Sequence, residues 1–336
     1  MDYSQTIDFL FNRLPMFSRL GAKAYKTDLT NTLILSKQLG NPEKKFRSVH
    51  IAGTNGKGSV SHMLAAVLQR AGYKTGLYTS PHLYDFRERI RVNGQMIPES
   101  FVTSFTGKLM PSIESIQPSF FEITVAMAFD WFAEQRVDIA VIEVGLGGRL
   151  DSTNIILPEL SVITNISYDH MDLLGNTLQK IAFEKAGIIK PGIPVLIGEE
   201  QPEVRDVFLR VAEQNRSPIH FASRTRFADD WKFNGHLLEV ELADKRSNGK
   251  VHYRLDLPGI YQTKNIVTVA EAISLLNQGG FNIPEPAVHQ GLQQVKKLTG
   301  LHGRWDILHD QPLLVLDVGH NEEGMKEIAK QIELTS

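Results

Sequence analysis

The sequence predicts an α/β fold: a P-loop-containing, mostly parallel sheet flanked by helices, with a small antiparallel appendage. Three observations carry that expectation. Strand-like and helix-like segments alternate along most of the 336 residues, as in chains of βαβ units. The run VDIAVIEV at 137–144 is nearly all apolar after Asp138, which suits a strand covered on both faces. A glycine-rich turn at 53–58 joins a strand-like run to a helix-like one, the context in which backbone N–H groups gather phosphate.

In chain order, residues 46–52 read as a strand and 59–70 as a helix. Val60, Met63, Leu64, Val67 and Leu68 share one face of that helix. Residues 75–79 form a short strand, and Asn93-Gly94 marks a hairpin. A helix follows at 121–134, then the apolar strand at 137–144. Residues 160–166 and 193–198 read as two further buried strands around a helix at 178–187, with Pro191-Gly192 turning the chain. The segment 218–257 differs. Its pieces IHFAS, HLLEVEL and VHYRLDL alternate between Asn-Gly pairs, so a small antiparallel unit is expected there. A helix at 263–276 ends before Gly279-Gly280. A new strand starts near Leu313, and a domain boundary is expected near residue 298.

Length alone allows two domains or one large one. Hydrophobic residues make up 42% and charged residues 22%, which argues for a globular chain. Lys and Arg total 36 against 38 Asp and Glu. That balance gives no sign of a nucleic-acid partner, although a local basic site remains compatible with it. With no cysteine, disulfides, thiolate nucleophiles and Cys-ligated metals are excluded. No run approaches the roughly 18 apolar residues needed to span a bilayer, and no secretory signal is visible at the N-terminus. No membrane partner and a cytoplasmic setting are the corresponding expectations.

The strongest local signal is Gly53-Thr54-Asn55-Gly56-Lys57-Gly58-Ser59. Glycines let N–H groups turn inward around phosphate oxygens, the following helix start adds partial positive charge, and Lys57 supplies a mobile cation. The general Walker spacing fails on a strict reading, because Gly58 separates Lys57 from Ser59 and the first glycine lies one residue closer. A plain strand-to-helix turn with a solvated lysine is the competing explanation. Glu143 ends the apolar strand, where open α/β sheets place their ligand crevice. A carboxylate there suits Mg²⁺, which takes oxygen ligands; a solvated strand end is the alternative. Ser80, His170 and Lys185 gain nothing from spacing alone. Each has an ordinary explanation: Ser-Pro turn chemistry, a loop histidine, and a lysine reaching for the surface.

Taken together the motifs resemble the folylpolyglutamate synthase/dihydrofolate synthase family, a branch of the Mur ligase superfamily. They are GTNGKGS (53–59), YTSPHLYDFRERIRVNG (78–94), FFEIT (120–124), VIEVGLGGRLDSTN (141–154), ITNISYDHMDLLG (163–175), KAGIIKPGIPV (185–195), YQTKN (261–265), HGRW (302–305) and LDVGHNEEG (316–324). They occur in the family's order and cover nearly the whole chain.

The resemblance implies an ATP-dependent ligase that joins L-glutamate to a carboxylate of folate or dihydropteroate through an acyl phosphate, with ATP and Mg²⁺ as cofactors and a monomeric chain. It assigns ATP binding to Gly53, Thr54, Asn55, Gly56, Lys57, Gly58 and Ser59, with Asn265, Arg304, Asp317 and His320 reaching ATP from the hinge and C-terminal part. Ser80 and Glu143 would hold one Mg²⁺. His170 would help hold a second, with Lys185, if carbamylated, supplying an anionic oxygen; Lys57, Lys185 and His170 are thus the catalytic candidates. The pterin would lie near Pro81, His82, Phe86, Arg87, Glu122 and Asp151, although Phe86 reads equally well as core. Two departures stand out. Val318-Gly319 replaces the usual Gly-Ala pair. The family's C-terminal domain is Rossmann-like and usually about a hundred residues longer; here only residues 299–336 follow the main domain, 1–298. A non-catalytic fragment that binds nucleotide or folate is therefore the alternative. A GTPase or kinase fits poorly, because the loop is shortened and no guanine-binding NKxD pattern follows a strand.

Overall fold

The computed structural model describes residues 1–16, 21 and 28–335. Its strands are β1 (Arg47–Ala52), β2 (Thr75–Tyr78), β3 (Ile90–Val92), β4 (Gln95–Met96), β5 (Ile139–Glu143), β6 (Leu160–Ile163), β7 (Val195–Ile197), β8 (Ile219–Phe221), β9 (Arg226–Asn234), β10 (Leu237–Asp244), β11 (Gly249–Leu255), β12 (Asp306–Asp310) and β13 (Leu313–Leu316). Eight of them form one sheet in the order β4-β3-β2-β5-β1-β6-β7-β8. From β2 to β8 every pairing is parallel; β3 and β4 add an antiparallel hairpin at one edge. The expected hairpin turn is present, with Asn93 and Gly94 at φ 47° and 77°.

The central strands are apolar because helices cover both faces. The helix Lys57–Arg70 buries Val60, Met63, Leu64, Val67 and Leu68 against β1 and β5 and against the helix Gln262–Gln278. On the other face the helix Phe120–Glu134 buries Ile123, Met127 and Phe132 with Ala140 and Ile142 of β5. The Ser119 side chain caps that helix start, and Glu122 reaches back to the Ser119 N–H. Leucine-sized side chains buried this fully contribute roughly 1.5–3 kcal/mol each.

Three elements depart from the expectations. IHFAS does not join the antiparallel unit: β8 pairs parallel with β7 and closes the main sheet. The third strand of that unit is instead β9, RFADDWKFN, which pairs with β10. Its alternation of half-buried and exposed positions includes charged residues, and that masked it. Likewise β13 has a partner, β12, whose sequence DILHD carries too little apolar character to read as a strand.

β1 is the point where the strand order reverses, with β5 on one side and β6 on the other. The crevice beyond its carboxyl end is where such sheets bind ligands.

Candidate functional site

The chain leaves β1 at Ala52 and enters the loop 53–56. Gly53 sits at φ 143°, and a Cβ there would come 1.9 Å from Thr164 Oγ1. Gly56 sits at φ 84°, where a Cβ would come 2.4 Å from Asn265 Oδ1. Both positions need glycine, for backbone conformation and for space. The helix then starts at Lys57 with no side-chain cap, so its first N–H groups stay available to an anion. Lys57 Nζ folds back to donate to the carbonyls of Gly53 and Thr54, each at 3.0 Å. Burial lowers its pKa, while Glu143 acts in the opposite direction.

Glu143 ends β5 beside Ile51 of β1. It is 4% exposed and accepts from the Ser80 backbone N–H at 3.3 Å. Burial raises its pKa, and the Lys57 and Arg304 cations oppose the rise. Buried carboxylates are costly unless a cation pairs with them. Lys185 is buried on the helix Leu178–Ala186 and donates to the Gly53 carbonyl at 2.8 Å. Burial, reinforced by Lys57, lowers its pKa to about 7. The surface-seeking explanation for this lysine is thereby overturned. His170 is exposed and lies 3.7 Å from Asp169; His320, also exposed, approaches the same carboxylate at 3.9 Å.

Asp317 ties the C-terminal segment to the main domain. It accepts from the Tyr261 hydroxyl at 2.5 Å, from the Trp305 N–H at 2.8 Å and from the Gly319 N–H at 2.8 Å. Arg304 reaches over the phosphate loop: a Cβ on Gly58 would come 2.9 Å from its Nη2. Asn265 donates to Gln262, and Gln262 donates to Ser59 Oγ.

Two cavities meet at this loop, sharing Gly56, Arg304, Val318 and His320. One, of about 500 Å³, is lined by Asn55, Ser59, Asn265, Lys264, Tyr261 and Asp317. The other, of about 490 Å³, is lined by Lys57, Ser80, Pro81, Glu122, Glu143, Asp151 and His170. Lys185 lies behind the loop, on the Gly53 carbonyl.

The aromatic and basic candidates are placed differently. Phe86 is core, packed edge-on to Phe11 and Phe120. Arg87 pairs with Asp85 and Glu99 and does not line either cavity. His82 accepts from Arg89 Nε at 2.8 Å and lines neither cavity. Residues the sequence did not single out take those places: Arg89, Arg91, Phe121, Asp169 and His302 line the second cavity, and Tyr261 and Lys264 the first. Both arginines come from the FRERIR motif, Arg89 from the end of the short helical turn Phe86–Arg89 and Arg91 from β3.

The donor set fits Mg²⁺. Glu143 and the Ser80 hydroxyl are hard oxygen donors. Among the described residues no group of three His, Asp or Glu side chains converges as a metal cage. Mg²⁺ suits such a sparse site, because it keeps waters and takes much of its shell from phosphate oxygens.

A parallel sheet with a phosphate loop at its switch point, a half-buried lysine on that loop with a buried one behind it, and a carboxylate at the neighbouring strand end defines a nucleotide-dependent ligase domain of the Mur type. The family description of the Mur ligase middle domain matches residues 51–273. The dihydrofolate synthase/folylpolyglutamate synthase of Bacillus subtilis is 39% identical over 310 residues, covering 89% of this chain and 70% of that protein. The folylpolyglutamate synthase of Lacticaseibacillus casei is 33% identical, covering 97% and 75%. The apo structure of the L. casei enzyme superposes with a TM-score of 0.90 at 31% identity, covering 100% of this chain and 81% of that one. A folylpolyglutamate synthase complex with AMPPCP and folate gives the same TM-score and the same coverage. The chain belongs to the folylpolyglutamate synthase/dihydrofolate synthase family of Mur ligases. None of its described helices is long and apolar enough to cross a membrane.

Proposed function

We propose that this chain is an ATP-dependent ligase that adds L-glutamate to a carboxylate of folate or dihydropteroate, releasing ADP and phosphate. The observation that carries the reading is the junction of two cavities at one phosphate loop, with Lys57, Glu143 and Arg304 around it. One cavity suits the nucleoside and the other the acceptor, so a γ-phosphate on the loop would face the acceptor carboxylate.

Each residue then has a task. The loop N–H groups and Lys57 hold the β- and γ-phosphates, and Arg304 adds positive charge from the opposite wall. Asn265, Asp317 and His320 position the nucleotide side. Glu143 and Ser80 would hold Mg²⁺, which neutralises charge on the transferring phosphoryl group. A second ion would sit near His170 with a carbamylated Lys185. A pKa near 7 keeps much of Lys185 in the neutral amine form, the form that takes up CO₂. Pro81, Glu122 and Asp151 line the acceptor side. Catalysis is mainly positioning and electrostatic stabilisation. Supporting turnover over a non-catalytic binding role, the whole loop and both lysines are in place.

The reading includes a division near residue 298, with the antiparallel unit beginning after β8, a monomeric chain and a cytoplasmic setting. The test is ADP release that requires both the pterin and glutamate. Lys57→Ala should lower it by at least about 10²-fold, and Glu143→Ala should do likewise. Wild-type-like turnover in either variant contradicts the assignment.

A further inference from the structure

The loop that follows Glu143 forms one wall of the acceptor cavity, through Gly145, Leu146, Leu150, Asp151 and Ser152. Asp151 organises that loop. It caps the helical turn Ser152–Ile155, and its Oδ1 accepts from the Thr153 N–H at 2.9 Å and from the Thr153 hydroxyl at 2.5 Å. Its Oδ2 accepts from the Leu146 N–H at 2.8 Å. The link continues beneath the cavity, where Thr153 Oγ1 lies 2.9 Å from Nε2 of His50 on β1. The hydroxyl hydrogen is committed to Asp151, so Nε2 must carry the imidazole proton and donate. Nδ1 is then a bare acceptor, buried with no partner among the described residues. Burial, reinforced by Lys190, lowers the pKa of this imidazole to about 3, so the ring stays neutral at ordinary pH. Its surroundings are apolar and fully buried: Val49 and Ile51 flank it on β1, and Ile142 of β5 lies beside it. A half-satisfied polar ring in such a setting costs stability that an apolar side chain would not. Its only side-chain hydrogen bond among the described residues runs to Thr153, and that bond leads to the acceptor wall.

We propose that His50 is a positioning residue for the acceptor: through Thr153 it fixes the Asp151 carboxylate, and with it the loop 145–152 that walls the acceptor cavity. His50 is fully buried and does not itself line that cavity. Its N–H holds the Thr153 hydroxyl in the rotamer that aims the hydroxyl hydrogen at Asp151. The far end of the turn is held separately. Asn154 Nδ2 donates to the carbonyls of Arg149 and Gly187, each at 3.0 Å, and Lys190 Nζ donates to the Asn154 carbonyl at 2.7 Å. Loss of the His50 link therefore loosens the Asp151 end of the loop without unravelling the turn. The nucleotide cavity has none of residues 145–152 in its lining, so acceptor affinity should fall while ATP affinity holds. This inference rests on the ligase reading, in which this cavity takes the acceptor.

The test is steady-state ADP formation by the full chain at saturating glutamate, titrating ATP and the acceptor separately, with tetrahydrofolate and dihydropteroate each offered. His50→Leu and Thr153→Val should each raise KM for the acceptor about fivefold, the scale of one lost buried hydrogen bond. The double variant should be no worse than the more impaired single one, because both changes break the same link. His50→Gln, which keeps an N–H donor, should stay within about twofold of wild type. KM for ATP should also stay within about twofold throughout, which shows that the variants are folded. Thr153→Val changes little in volume and carries the test alone if His50→Leu does not fold. An acceptor KM within twofold of wild type in Thr153→Val overturns the inference alone. So do effects that multiply in the double variant, His50→Gln as impaired as His50→Leu, or an ATP KM that rises in step with the acceptor KM, which would make His50 a support of β1 only. Wild-type protein that releases no ADP with either acceptor overturns both this inference and the ligase reading.

Discussion

Val49, Ile51 and Val141 of β1 and β5 are fully buried, whereas Leu308, Leu313 and Leu314 of β12 and β13 are each more than half exposed. These strands stand behind the two walls of one cleft. The phosphate-loop wall takes its geometry from a packed core beneath it: only glycine fits at positions 53 and 56, because Thr164 and Asn265 leave no room for a side chain. The C-terminal wall is fixed mostly by polar ties. Asp317 holds Tyr261 and Trp305, Asn321 exchanges hydrogen bonds with Asn55, and Lys264 pairs with Glu327 at 2.8 Å. Binding is thus prepared on one side and completed from a side whose position depends on a few hydrogen bonds. Walls of this kind can open and close at modest cost, as a site that must admit three substrates requires.

The comparison breaks if the two walls respond alike to mutation. The largest effect on stability is expected at Leu64, fully buried between the sheet and the helices. Leu64→Ala should lower the unfolding free energy by about 2–5 kcal/mol, read by urea denaturation, and loosen the loop above it. A loss below about 1 kcal/mol would mean the core does not support that wall. Asp317→Ala is the smaller test. It removes the anchor of the second wall while leaving the main core intact. It should raise KM for ATP roughly tenfold, equivalent to about 1.4 kcal/mol, with little change in the denaturation midpoint of the main domain. An unchanged KM would show that this wall does not depend on the Tyr261 tie.

The same contrast explains what was legible in the sequence. β1, its loop and the following helix stood out because a buried strand and a phosphate loop both impose strict residue types. Glu143 stood out because a lone charge ends an apolar run. β9 and β12 did not, since exposed strands tolerate charge and show only weak alternation. β8 was assigned to the wrong sheet because three residues carry too little pattern to tell parallel from antiparallel pairing. Within the site, Lys185 could not be told from a surface lysine by spacing, and only packing reveals that it is buried on the Gly53 carbonyl. Phe86 and Arg87 were drawn towards the pterin by proximity in sequence to the TSPH motif. The short helical turn Phe86–Arg89 sends Phe86 inward and leaves Arg87 to Asp85, while Arg89 faces the cavity.

The central claim is that the two cavities hold a nucleotide and a pterin acceptor across one phosphate loop, so that ATP cleavage is coupled to glutamyl transfer. The most direct measurement is the mass of the pterin product after incubation with ATP, Mg²⁺ and L-glutamate, with dihydropteroate and tetrahydrofolate offered in parallel. At least one acceptor should gain the mass of a glutamyl residue, with one ADP formed for each residue added. ATP consumption that leaves both acceptors unchanged in mass would contradict the account.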